Sequence, residues 1–169
     1  LEIINNGNTY KGNNRGTIQT DSQLKLTSDN FEYLKKINRL EANGNVELFD
    51  LNNDITINAQ QIFYLKNQEK IFTIGKTLIK ISNKYVIKGF DLILFKDKMI
   101  LSSKKNAIIT DSESNTYKLE KFQYSIDKEI LKGENIVAVT NDKKNKSDEF
   151  SFKTGFFDLK KNKFLGKDI

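Results

Sequence analysis

The chain has 169 residues, 37% of them hydrophobic, with 28 Lys and Arg against 22 Asp and Glu for a formal charge of +6, a size that fits one domain with a buried core. It has no His, Cys or Pro, which removes His-based acid–base pairs, thiol nucleophiles, zinc sites and disulfides and leaves strand pairing uninterrupted. No window approaches the roughly 18 consecutive apolar residues of a transmembrane helix, and a surplus that is almost all Lys, with only Arg15 and Arg39, reads as a Lys, Asn and Ile bias suited at most to an anionic lipid or headgroup, not as a nucleic-acid surface.

Residues 1–20 are rich in Asn and Gly, which predicts a short strand at Leu1–Ile4 and turn clusters around Asn6-Gly7 and Gly12 to Gly16. These glycines lack the strand, loop and Lys-Ser/Thr order of a phosphate loop. From Gln23 a repeat sets in, anchored at Tyr33, Tyr64, Leu94, Tyr124 and Phe157, with steps of 31, 30, 30 and 33 residues. Seven before each anchor stand Leu26, Ile57, Ile87, Tyr117 and Phe150. Two before stand Phe31, Ile62, Leu92, Phe122 and the exception Gly155. Seven after come Leu40, Ile71, Leu101, Leu131 and Phe164, and nine after come the small residues Ala42, Thr73, Ser103, Gly133 and Gly166. Val46, Thr77, Ala107 and Val137 follow at thirteen, then Leu48, Ile79, Ile109 and Val139 at fifteen. So many matching columns establish an internal repeat of about 30 residues.

Each copy reads as a strand, a polar connection and a longer strand. The connections are Lys35 to Asn38, Lys66 to Lys70, Lys96 to Lys98, Ser125 to Glu129 and Lys160 to Lys163. A second set of turns, at Asn52 to Asp54, Ser82 to Lys84, Asp111 to Asn115 and Asn141 to Glu149, joins copy to copy. The apolar positions seven and five before the anchor share one parity, and those two before and at the anchor have the other. A strand that changes face midway needs a bulge or corner. No segment has a helical period, and any helix would be short and near Asp29 to Lys36. The expected fold is all-β: an antiparallel β-jelly roll or V-shaped β-solenoid of ~30-residue hairpin repeats, with a parallel β-helix as the competitor.

Ile57-Asn-Ala59-Gln-Gln-Ile62-Phe-Tyr64, taken with a strand of the type Leu40-Glu-Ala42-Asn-Gly44-Asn-Val46-Glu-Leu48, resembles the OstA-like repeat of the lipopolysaccharide-transport jelly rolls, over roughly Leu24 to Ile169. That family includes the periplasmic bridge protein LptA and the periplasmic N-terminal domain of the outer-membrane protein LptD. Lys105, Asn135 and Asp168 depart from the glycine of Gly44 and Gly75. The resemblance implies transport without catalysis or cofactor, in the periplasm and attached to the outer membrane. Acyl chains of lipopolysaccharide would lie in an apolar groove lined by Ile57, Ala59, Ile62, Tyr64, Ile79, Ile87, Leu92, Leu94, Tyr117, Leu119, Phe122, Tyr124, Val137 and Val139, positions that would equally fill an ordinary core. Neighbouring Lpt jelly rolls would pair with edge strands such as Leu1 to Ile4. The number of copies and the end of the chain in mid-strand fit one domain, 1–169, of a longer chain with a downstream β-barrel and its plug lipoprotein. The cysteines that tie LptD relatives to the barrel do not occur here, so LptA is the other expectation. From another class, a structural or adhesive β-solenoid would have a filled interior and take no lipid. Asp148-Glu149 reads as a solvated turn, not as a glycosidase pair.

Overall fold

The structure is a computed structural model that describes residues 1–20, 23–141 and 147–167. Among these it contains seventeen strands in one sheet, in chain order β1 (Glu2–Ile4), β2 (Thr9–Gly12), β3 (Gly16–Gln19), β4 (Leu24–Ser28), β5 (Asn30–Leu34), β6 (Arg39–Asp50), β7 (Ile55–Leu65), β8 (Lys70–Ile81), β9 (Tyr85–Phe90), β10 (Ile93–Phe95), β11 (Ile100–Ser103), β12 (Ala107–Asp111), β13 (Thr116–Leu119), β14 (Lys121–Ser125), β15 (Ile130–Asn141), β16 (Ser147–Asp158) and β17 (Lys163–Lys167). Every pairing is antiparallel, which excludes the parallel β-helix.

Five long strands, β6, β7, β8, β15 and β16, cross a crease that divides the sheet into two walls. The first wall joins β3, β4, β9, β12 and β13 to one half of each long strand. The second joins β1, β2, β5, β10, β11, β14 and β17 to the other half. Folding the walls together buries both inner faces in a single apolar core.

The parity switch read from the sequence is the crease. On β7 the side chains in the core are Ile55 and Ile57 on one side of it and Ile62 and Tyr64 on the other. Its partners keep their parity by inserting an extra residue: Asn43 and Val46 of β6, and Ile74 and Thr77 of β8, face the same Gln61 and Ala59 of β7. Such a bulge bends the strand and increases its twist. Left-handed backbone at Gly44 (φ 77°), Gly75 (φ 80°) and Asn135 (φ 46°) supplies the bend, a conformation glycine adopts freely and asparagine tolerates. The departure at Asn135 therefore keeps the backbone requirement. Lys105 instead falls in the break between β11 and β12.

The hairpin connections lie where expected, and three of them contain short 3₁₀ turns, at Lys35–Ile37, Lys66–Gln68 and Lys96–Lys98. The residue five after every anchor is left-handed: Asn38, Glu69, Met99, Glu129 and Asn162. The carbonyls of the first four accept the backbone N–H of Lys66, Lys96, Ile126 and Leu159 at 3.0, 2.8, 2.8 and 2.9 Å, which ties each copy to the next. Asn8 does the same for Lys35 at 2.9 Å. Residues 1–20 thus form an earlier half-copy, where the composition predicts turn clusters around a single strand. The expected short helix near Asp29 to Lys36 is mostly strand β5, and the 3₁₀ turn begins at Lys35. The turn expected over Asn141 to Glu149 lies partly outside the described residues, as does Asp168. Asp148 and Glu149 stand in β16, exposed and paired with Thr140 and Val139, not in a turn.

Candidate functional site

The space between the walls is a trough whose lining comes from the repeat columns. Ile57, Ile62, Tyr64, Ile79, Ile87, Leu92, Leu94, Tyr117, Leu119, Phe122 and Tyr124 are buried in the shared core, and Ala59 packs against it half-buried. Val137 and Val139 do not belong there. In the earlier copies the small residue and the next inward residue are four apart (Ala42 to Val46, Thr73 to Thr77, Ser103 to Ala107), but from Gly133 to Ile136 the step is three. One residue fewer at the crease reverses every later side chain, so Ile136 and Ala138 enter the core and both valines turn outward, half-buried.

The trough is filled in its middle and open at its ends. At the N-terminal end a cavity of about 570 Å³ is lined by Ile18, Phe31, Tyr33, Leu40 and Tyr64. At the other end one of about 240 Å³ is lined by Tyr117, Ala138, Phe150, Phe152, Phe157 and Phe164. Of the residues expected to touch lipid, Tyr64 and Tyr117 therefore face these end cavities, Leu119 borders a further groove at the crease, and the others named above pack in the core. Edge-to-face contacts across the walls, Tyr85 on Tyr124 (5.5 Å) and Tyr117 on Phe157 (5.4 Å), do much of that filling.

Opposite the crease the walls meet through side chains, not through ladder bonds. The Lys96 ammonium of the second wall lies 3.3 Å from the Asp50 carboxylate of the first, the two side chains being 8% and 0% exposed. Asp50 also accepts Asn52 N–H, Asn53 N–H and the Asn53 amide at 3.2, 3.3 and 2.9 Å. Further along, Glu129 of the second wall accepts Lys84 at 2.7 Å and the Tyr85 hydroxyl at 2.9 Å, both from the first. Lys84, and then Tyr85, hold the Glu129 carboxyl below its ordinary range. Burial first, with nearby carboxylates adding to it, pushes Tyr117 up to about 12 and raises Tyr85 too; burial and the neighbouring Tyr85 raise Tyr124. The sequence reading missed these clamps because Lys84, Lys96 and Glu129 sit in polar turns. The one available signal was Asp50, an acid that continues the inward parity of Val46 and Leu48.

No family model and no curated protein matches the chain in sequence. In structure it is similar to LptH of Pseudomonas aeruginosa, the LptA-homologous periplasmic component of the lipopolysaccharide transport device, with a TM-score of 0.60 over 77% of this chain and 95% of that one, at 15% identity. The chain therefore has the LptA-like jelly-roll fold.

Proposed function

We propose that the chain is a periplasmic lipopolysaccharide-carrying module, which holds acyl chains in the trough and leaves the sugar headgroup in water. The observation that carries this reading is the trough: one continuous apolar interior between two walls, ending in aromatic-lined cavities, in the fold of LptH. Each methylene taken out of water is worth about 0.8 kcal/mol, so a dry surface of this length suits an acyl chain. Because the middle is packed, lipid enters by spreading the walls at the mouth, where a few side chains hold them. Ile57, Ile62, Leu92, Leu94 and Phe122 are the proposed contacts once the walls part, with Tyr64 and Tyr117 at the ends.

The terminal strands support a modular arrangement. β1 pairs only with β2, and β17 only with β16, so each leaves a free edge among the described residues, and both expose large apolar side chains, Leu1 and Ile3 at one end and Phe164 and Leu165 at the other. Neighbouring jelly rolls add strands to these edges and relay lipid toward the outer membrane, either as an LptA-type bridge or as an LptD-type domain before a β-barrel and its plug lipoprotein. The packed centre favours a second reading, a structural or adhesive solenoid without lipid. Photocrosslinkers at positions 62, 92 and 122, with 76 and 80 as outward controls, separate the two when the protein is titrated with lipopolysaccharide. Inward labelling supports the carrier, and no labelling from any position supports the solenoid.

A further inference from the structure

The outer face of the first wall carries a second groove, which at the crease also reaches the inward residues Thr77, Gly89, Ala107 and Leu119. The ladder places Leu78, Lys88, Ile108, Lys118 and Val137 in one row across five strands. In the next row Lys76 faces Phe90, which brings Phe90 diagonal to both Leu78 and Ile108, within reach of an aromatic side chain. Leu78, Phe90 and Ile108 thus make an apolar floor, and Lys76, Lys88 and Lys118 stand around it. Together they line a groove of about 660 Å³, inside the roughly 300–1,000 Å³ range of small-molecule sites. Phe90 and Ile108 are each 40% exposed, large apolar side chains left open to water.

The charge around that floor is in surplus, three lysines against the one carboxylate of Glu120. Among the described residues Lys84, Lys105 and Lys121 pair with Glu129, Asp91 and Glu134, and on the second wall Arg39 and Lys70 lie over the rings of Phe63 and Phe72. Lys76, Lys88 and Lys118 have, among the described residues, no ion pair within 4.0 Å and no such ring beneath them. The groove's one carboxylate, Glu120, is engaged by the Asn135 amide at 2.6 Å.

We infer that this outer groove binds one single-chain anionic amphiphile, its alkyl chain laid on Leu78, Phe90 and Ile108 and its anionic head held by Lys88 and Lys118. An apolar floor with a cationic rim matches both ends of such a molecule, where a simple anion would leave the floor wet and a neutral lipid would leave the lysines unused. The site goes beyond the carrier reading and stands without it.

The test uses the whole chain and 11-(dansylamino)undecanoate below its critical micelle concentration, followed by fluorescence. K88E/K118E, on two exposed positions, is expected to weaken binding about tenfold or more, and added salt is expected to weaken it in the wild type. The uncharged 11-(dansylamino)undecanol is expected to bind the wild type more weakly than the acid and to be indifferent to K88E/K118E. A photocrosslinker at position 108 should label with the dansyl acid and one at position 62 should not. Equal affinity in wild type and K88E/K118E, both folded by circular dichroism, overturns the proposal, as does labelling from position 62 alone. It is equally overturned if sedimentation shows a dimer that I108D dissociates without loss of probe binding, because the groove is then an interface between copies.

Discussion

Replacing Asp50 with alanine should destabilise this protein more than replacing its lysine partner with methionine. Asp50→Ala leaves the Lys96 ammonium, 8% exposed, with only Glu69 at 3.9 Å among the described residues, and it takes the acceptor from the two N–H groups and the amide of the Asn52-Asn53 turn. Breaking a buried pair from one side costs about 3–5 kcal/mol. Lys96→Met is milder, because the stranded carboxylate keeps its three turn bonds, and about 1–3 kcal/mol is expected. Native stability is about 5–15 kcal/mol, and at this length each kcal/mol moves Tm by roughly 2–4 °C, so Asp50→Ala should lower Tm by roughly 6–20 °C. The double variant D50L/K96M should recover most of that loss, since apolar replacement of a buried pair is often neutral or better. Urea and thermal unfolding of the three variants decide it. The reasoning is refuted if Lys96→Met costs as much as Asp50→Ala, or if both fall below about 1 kcal/mol as a screened surface pair would.

The crease makes a second prediction. Gly44→Ala should cost clearly more than Gly75→Ala in urea unfolding. Both residues are left-handed, at roughly 1–2 kcal/mol for a side chain, but a Cβ on Gly44 would meet the Asp29 carboxylate at 2.5 Å while one on Gly75 meets nothing within 4 Å. A third concerns tyrosine. Tyr85, Tyr117 and Tyr124 are all raised, Tyr117 from 10.0 to about 12, so the unfolded chain ionises first; stability should hold below pH 10 and fall as pH rises through about 12, and replacing Tyr117 with Phe should leave the ultraviolet titration of the folded protein near pH 10 unchanged. A fourth concerns acid. The Glu129 carboxyl is lowered, so its contribution is present above the unfolded value of about 4.3 and is lost as pH falls through the folded one; the stability gap between wild type and E129Q should close in acid and not in base.

What could be read from the sequence was whatever repeats with the right period. The two-faced strand needed only parity, and the structure puts the change of face where Ala59 and Gln61 oppose the extra residue on β6 and β8. The same method misplaced Val137 and Val139, because a column assumes constant spacing and the last crease is one residue shorter. The half-copy in residues 1–20 escaped for a related reason: Tyr10 and Ile18 are too sparse among Asn and Gly to make a column, and its place in the series shows in the pairing of Tyr10 with Tyr33 and of Ile18 with Leu26 and in the bond from Lys35 N–H to Asn8 O. The clamps were illegible because a contact between Glu129 and Tyr85, or Lys96 and Asp50, depends on how far two walls close, which no local pattern encodes.

That closure connects the fold to what it can hold. Two sets of backbone ladders run across the crease, β6–β7–β8 and β15–β16, so it resists opening there. The mouth has two polar clamps and aromatic contacts, each a side-chain interaction of a few kcal/mol at most. A V hinged on its ladder and fastened only by side chains opens at the mouth first, and what it uncovers is the row of Ile62, Leu92 and Phe122. In the carrier reading the protein must therefore be less stable at Asp50 and Glu129 than at Gly44, and releasing a clamp should raise labelling from position 92 while lowering Tm. Hydrogen exchange on the wild type tests the same asymmetry: amides beside the crease should exchange more slowly than those of the Asn52–Asp54 and Lys96–Lys98 turns, and lipopolysaccharide should widen the difference. Uniform exchange across both walls would mean that the roll opens only by unfolding, and a roll of that kind carries nothing.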